Sequence, residues 1–257
     1  MVIGLDKFKD WFADYTDSYV IIGGTACDEH ISAAGLTPRA TRDIDVILII
    51  EALTPAFVSQ FWDFVKAAGY NKKEQERERR NAYRFREPAD RTFPRQVELF
   101  CRQPDILQLP QDMHITPIPK EEGLSSLSAI LLDDDYYHFT LTHSAIEHGV
   151  HHANIEALIC LKAYAYLDNL ARKENGESID SNKIDKHRKD VFRLLPLLPP
   201  NSSFELPTRL HHDMNLFAVK VQDNLPDQKM LQDAGYGTLS PQKLFNQMLN
   251  TFHLNPE

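Results

Sequence analysis

Residues Tyr19–Leu48 read YVIIGGTACDEHISAAGLTPRATRDIDVIL, and the order of their parts decides the fold. A short apolar run, Tyr19 to Ile22, ends at Gly23-Gly24. A helical stretch follows to about Ala34 and is broken by Gly35 and Pro38. A second apolar run extends from about Asp43 to Ile50, with Asp43 and Asp45 at its head. This pattern predicts strand, helix, strand. Thr25, with Asp28 three residues on, has the form of a capping box and predicts the start of the helix.

The two aspartates need a physical reason. Strand side chains alternate, so Asp43, Asp45, Ile47 and Ile49 share one face and Ile44, Val46, Leu48 and Ile50 the other. Along the strand the two carboxylates stand roughly 6.5 Å apart, close enough to lean onto one cation. Without a cation they repel, and burying them is costly. Oxygen donors of this kind suit Mg²⁺ or Mn²⁺, with water and substrate phosphate completing the coordination. Glu98 lies in a further apolar run, Gln96 to Cys101, and would complete a carboxylate triad if that strand lay beside the Asp43 strand. Two cations held this way activate an attacking hydroxyl and stabilise a leaving pyrophosphate. Gly23 and Gly24, ahead of a helix start, predict exposed backbone N–H groups for a phosphate. The Thr25 hydroxyl is expected to add to that seat.

Working outward, Leu5, Phe8, Trp11 and Phe12 predict an amphipathic helix near residues 4–16. Thr54-Pro55 opens another, carrying Phe57, Phe61, Phe64 and Val65 and closed by Gly69. Residues 71–92 are rich in arginine (Arg77, Arg79, Arg80, Arg84, Arg86, Arg91) and are read as a solvated ribbon. Within them Ala82–Arg86 alternates like a half-exposed strand, expected to pair with Gln96–Cys101. Short strands are predicted near Ala129–Leu132 and His138–Leu141. From about Asn154 the texture turns helical, with NIEALICLKAYAYLDNLARK and NKIDKHRKDVFRLLPLL the strongest segments. The expected class is therefore α/β in the α+β sense: a small mixed sheet with flanking helices over residues 1–150, then a helical domain over 151–257.

The bulk properties narrow the partners. The chain has 257 residues and a net charge of −9, which argues against a general nucleic-acid coat protein. Cys27, Cys101 and Cys160 lie far apart and suggest neither a zinc ribbon nor a disulfide framework. The N-terminal stretch reads as neither signal peptide nor anchor, and no apolar run approaches the roughly 18 residues of a membrane span. A cytoplasmic protein without membrane contact is expected.

The ordered set of strand, Gly23-Gly24, helix, Asp43-x-Asp45 and a later strand carboxylate resembles the nucleotidyltransferase superfamily, which includes DNA polymerase β and the CCA-adding enzymes. GGTAC followed by TRDIDVIL is most similar to the AbiE-type toxin nucleotidyltransferases of toxin–antitoxin and phage-defence systems. LICLKAYAYLDN with Lys162, and KHRKDVFRL with Arg188 and Asp190, are similar to those proteins' helical lysine and Arg-Asp segments. The resemblance implies a DNA polymerase β-like fold and Mg²⁺- or Mn²⁺-dependent transfer of a nucleoside monophosphate from ATP or another nucleoside triphosphate. The acceptor is left open among RNA (tRNA included), protein and a small molecule, and an antitoxin partner is implied. Asp43, Asp45 and Glu98 would be the catalytic and metal residues, and Gly23, Gly24, Thr25 and Lys162 the nucleotide-binding ones.

Other readings stand beside these. Glu98 alternatively pairs with an arginine of 77–86, and Lys162 alternatively snorkels to solvent. Asp190 is read as a structural partner of Arg188 or Lys186. His143, His148, His151 and His152 are read as solvated loop histidines. An inactive relative that keeps the fold as a binding module is the rival to the enzyme, and a phosphohydrolase on another fold a more distant one.

Overall fold

A computed structural model describes residues 2–39, 41–70, 82–102 and 133–256. They form a mixed α/β protein that divides into two compact units. One comprises residues 1–28, 40–132 and 144–153; the other comprises 29–39, 133–143 and 154–257.

The first unit is built on a six-stranded mixed sheet. Its strands are β1 (Tyr19–Ile22), β2 (Asp43–Leu48), β3 (Ala82–Arg86), β4 (Gln96–Phe100), β5 (Ser144–Glu147) and β6 (Val150–Ala153). Their spatial order is β3-β4-β2-β1-β6-β5. β1 runs antiparallel to β2, and β4 lies beside β2, parallel to it, so the Glu98 strand adjoins the Asp43 strand. β3 and β4 form the expected antiparallel ribbon. β2 stops at Leu48, and Ile50–Ala52 make a single 3₁₀ turn instead of two further strand residues.

One side of this sheet is closed by aromatic packing. Helix α1 (Leu5–Phe12) brings Phe8 and Phe12 against Tyr19, and helix α3 (Pro55–Ala68) packs Phe57, Phe61 and Phe64 on Phe12. Phe8 lies edge-on to Tyr19 at 5.2 Å, an arrangement that aromatic quadrupoles favour. Thr54 caps α3 by accepting from the Phe57 N–H at 3.2 Å, Pro55 occupies its first turn, and Gly69 ends it at φ 63°.

Two local readings are corrected here. The helix after β1, α2 (Gly23–Ala33), begins at Gly23, so Thr25 lies inside it and does not form a capping box with Asp28. Instead Asp28 accepts a hydrogen bond from the Thr41 N–H at 2.7 Å. Of the histidines read as solvated loop residues, His148 is exposed in a turn, as expected, whereas His151 and His152 lie in a strand. They belong to the β5–β6 hairpin, whose turn residues His148 and Gly149 both have positive φ, 51° and 77°. Such a two-residue turn matches the strand twist. His151 and His152 lie on β6, where His151 Nδ1 bonds the Thr16 carbonyl at 2.9 Å and His152 is buried.

The second unit is helical, with α4 (Asp134–Thr142), α5 (Ile155–Glu174), α6 (Ser181–Leu194), α7 (Thr208–Val221), α8 (Gln228–Asp233) and α9 (Pro241–Thr251). Residues 156–163 of α5 are all buried, the signature of a helix packed on every side, here by α4, α6 and α7. The strand expected at His138–Leu141 is part of α4. Asp133 caps that helix by accepting from the Asp135 and Tyr136 N–H groups, and the helix period buries Tyr136, Tyr137, Phe139 and Thr140. The strand expected near Ala129–Leu132, and Arg77, Arg79 and Arg80, lie outside the described residues. Among those described, no helix is long and apolar enough to cross a membrane.

Candidate active site

β2 presents Asp43 and Asp45 half-buried on one face, while Ile44 and Val46 are buried on the other. Strand pairing extends each aspartate into a row across the sheet. Asp45 stands opposite Glu98, and Glu98 opposite Arg84. Asp43 stands opposite Gln96, and Gln96 opposite Arg86. Residues directly opposed share a face, so both aspartates, Glu98 and both arginines lie on the same side of the sheet.

Glu98 is 5 % exposed, and a carboxylate buried that deeply needs compensation. Its Oε1 accepts from Arg84 Nε at 2.6 Å and from Gln96 Nε2 at 2.9 Å. The first is a short charge-assisted bond. Arg86 Nε in turn donates to Gln96 Oε1 at 2.8 Å. The two rows are thus knitted into one network, and Glu98 pairs with an arginine of β3.

The start of α2 is built around the aspartates. Gly23 has φ 71°, and a Cβ placed on it would stand 1.9 Å from Asp45 Oδ2. Glycine is required there by the carboxylate itself. A Cβ on Gly24 would stand 2.8 Å from the Thr41 side chain, so that glycine admits Thr41. Thr25 is fully buried, and its hydroxyl donates to the Asp43 carbonyl oxygen at 2.6 Å. This uses the one proton the hydroxyl has and ties the helix start to the head of β2. The first backbone N–H groups of α2 have no partner within the helix, as at any helix start.

Lys162 belongs to the helical unit and does not snorkel. It is 3 % exposed, and its ammonium lies 3.1 Å from Asp190 Oδ2. Asp190 also takes Arg39 Nη1 at 3.1 Å, whereas Arg188 pairs with Asp185; the expected Asp190 partners, Arg188 and Lys186, are replaced by Lys162 and Arg39. Burial alone would raise the Asp190 pKa, but Lys162 and Arg39 outweigh it and hold the carboxyl below its ordinary value. Beside this cluster His187 keeps a buried Nδ1 without a hydrogen-bond partner among the described residues. Burial, aided by the Lys162 charge, drives its pKa down to about 3, so the ring is neutral.

The donor set bears on the metal expectation. Asp43 and Asp45 offer carboxylate oxygens on one face, and Mg²⁺ bound to one or two carboxylates plus substrate phosphate is ordinary chemistry. The pair therefore fits a divalent cation. Glu98 faces the same side, with its Oε1 taken by Arg84 and Gln96. Among the described residues no group of three or more His, Cys, Asp or Glu is disposed to bind a metal.

Arg84 is the residue that sequence reasoning passed over as an individual. The alternation of Ala82–Arg86 was the available signal, because it puts Arg84 and Arg86 on one face of the strand beside Glu98. Arg39 had no such signal. Compared with models of protein families and with curated proteins, the chain matches none.

Proposed function

We propose that the chain is a metal-dependent nucleotidyltransferase that moves a nucleoside monophosphate from a nucleoside triphosphate to an acceptor hydroxyl. The observation that carries this reading is Asp43 and Asp45 on one face of β2, with the Asp45 carboxylate resting on Gly23 at the head of a helix. The order and spacing of GGTAC and TRDIDVIL support it as a nucleotidyltransferase-type arrangement of the mixed sheet, with a biological setting like that of the AbiE-type toxins.

Asp43 and Asp45 would hold the Mg²⁺ or Mn²⁺. When bound, such an ion supplies charge neutralisation at the α-phosphate and at the departing pyrophosphate. Gly23 fixes where the Asp45 carboxylate lies, and Thr25 fixes the backbone beneath Asp43. The first N–H groups of α2, which have no partner within the helix, would offer neutral donors to phosphate oxygens. With no charge balance to restore, these donors suit any nucleotide, so base choice falls to other residues.

Incubating the protein with each α-labelled nucleoside triphosphate, Mg²⁺ or Mn²⁺, and total RNA or protein tests the reading. Transfer of label that disappears in Asp45→Asn is the expected result. No transfer with any of the four nucleotides overturns it. That outcome favours the second reading, a fold retained as a binding module, which the Arg84–Glu98 pair supports because it withholds the third carboxylate.

A further inference from the structure

The sheet face that carries the aspartates also carries the guanidinium of Arg84. The Arg84 side chain is only 14 % exposed, and its Nε is engaged by Glu98. Its two terminal amino groups donate to none of the described residues. The terminal amino groups of this fork are therefore left open to further acceptors, of which a guanidinium takes several. Glu98 is the reverse case. Its Oε1 takes two donors, and the negative charge is matched by Arg84. A cation taking Glu98 Oε1 would displace a 2.6 Å charge-assisted bond to Arg84.

We infer that Arg84 binds the triphosphate of the nucleotide, and that Glu98 is its positioning residue and not a metal ligand. This rests on the nucleotidyltransferase reading and specifies its site. Arg84, Glu98 and Asp45 stand in consecutive register across β3, β4 and β2. A phosphate chain brought to a cation on Asp43 and Asp45 therefore meets the sheet face that carries Arg84. The planar fork matches two oxygens of a phosphate, which a lysine cannot do. Glu98 holds the fork by Nε, the one nitrogen that leaves the terminal pair available. Gln96 keeps Glu98 in place, and Arg86 keeps Gln96 in place.

The test uses Mn²⁺ alone and inorganic triphosphate as probes, with Mn²⁺ followed by electron paramagnetic resonance and triphosphate by calorimetry. Glu98→Gln is expected to bind Mn²⁺ alone within about twofold of wild type, while Asp45→Asn loses about tenfold or more. Arg84→Met is expected to keep Mn²⁺ affinity and to bind triphosphate about tenfold or more weakly, with Arg84→Lys recovering part of the loss. Glu98→Gln still accepts from Nε, so it keeps the fold and lowers triphosphate affinity only severalfold. The inference is overturned if Glu98→Gln loses Mn²⁺ as Asp45→Asn does, or if Arg84→Met and Arg84→Lys bind triphosphate like wild type. Wild type that binds both probes as stated but transfers no label overturns the transferase reading and leaves the role of Arg84 standing.

Discussion

The Asp45 carboxylate occupies the space that a side chain on Gly23 would need: a Cβ there would lie 1.9 Å from Oδ2. A catalytic candidate on one strand and a glycine at the end of its antiparallel neighbour are therefore a single device. Ile22, the residue before that glycine, is the register partner of Asp45. Gly23→Ala must move the carboxylate and adopt a φ of 71°, a value costing a side-chain-bearing residue about 1 kcal/mol or more. The variant is expected to unfold at lower urea and to bind Mn²⁺ more weakly than wild type. Unchanged Mn²⁺ binding in a folded Gly23→Ala protein would contradict the coupling.

Thr25 tests whether the helix start is tied to β2 by its hydroxyl. Thr25→Val keeps the shape and removes the donor to the Asp43 carbonyl, at a cost of about 1–2 kcal/mol. Thr25→Ser retains the donor. If the tether matters, the serine variant keeps label transfer near wild type, whereas valine lowers both the urea midpoint and transfer. Equal transfer in the two variants would refute it.

The buried Lys162–Asp190 pair sets a stability prediction. Asp190→Asn leaves Lys162 buried without its anion and is expected to cost about 3–5 kcal/mol in chemical denaturation. The double variant Lys162→Met, Asp190→Leu is expected to regain most of that loss. The Asp190 pKa lies below its ordinary value, so the contribution is present above about pH 4 and is lost as the pH falls through the folded pKa. An Asp190→Asn protein whose stability matches wild type at pH 7 would exclude this.

His187 sets a second acid limb with its own window. Its folded pKa is depressed to about 3, against about 6.5 unfolded, so between these values the unfolded chain binds the extra proton. Stability accordingly rises with pH across that window, by at most about 1.4 kcal/mol per pH unit from this group. His187→Leu should flatten the limb between pH 3 and 6.5 relative to wild type, measured by urea unfolding at stepped pH. An unchanged limb would refute the assignment.

Much of the sheet was legible because its signals are local. Two-residue parity put Asp43 and Asp45 on one face, and the breaks at Gly35 and Pro38 separated α2 from β2. Thr54-Pro55 and Gly69 marked the ends of α3, since capping chemistry acts within a few residues. Where the reading failed, a competing local pattern had the same appearance. His138–Leu141 looked extended until the cap at Asp133 set a helical period for Tyr136, Tyr137, Phe139 and Thr140. His151 and His152 looked like loop because nothing local marks the strand that pairing with β5 makes of them.

The sequence by itself determined which residues alternate, where elements break, and that two carboxylates share a strand face. Which groups neutralise the buried carboxylates Glu98 and Asp190 was decided by tertiary structure alone. Glu98 was read first as a metal ligand and alternatively as an arginine partner, and β3 sets Arg84 opposite it. Asp190 was nearer in sequence to Arg188, yet took Lys162 and Arg39 from other segments. The reason is physical: burial makes an unpaired charge costly wherever it sits, and it is met by whichever opposite charge folding brings within reach, regardless of separation along the chain.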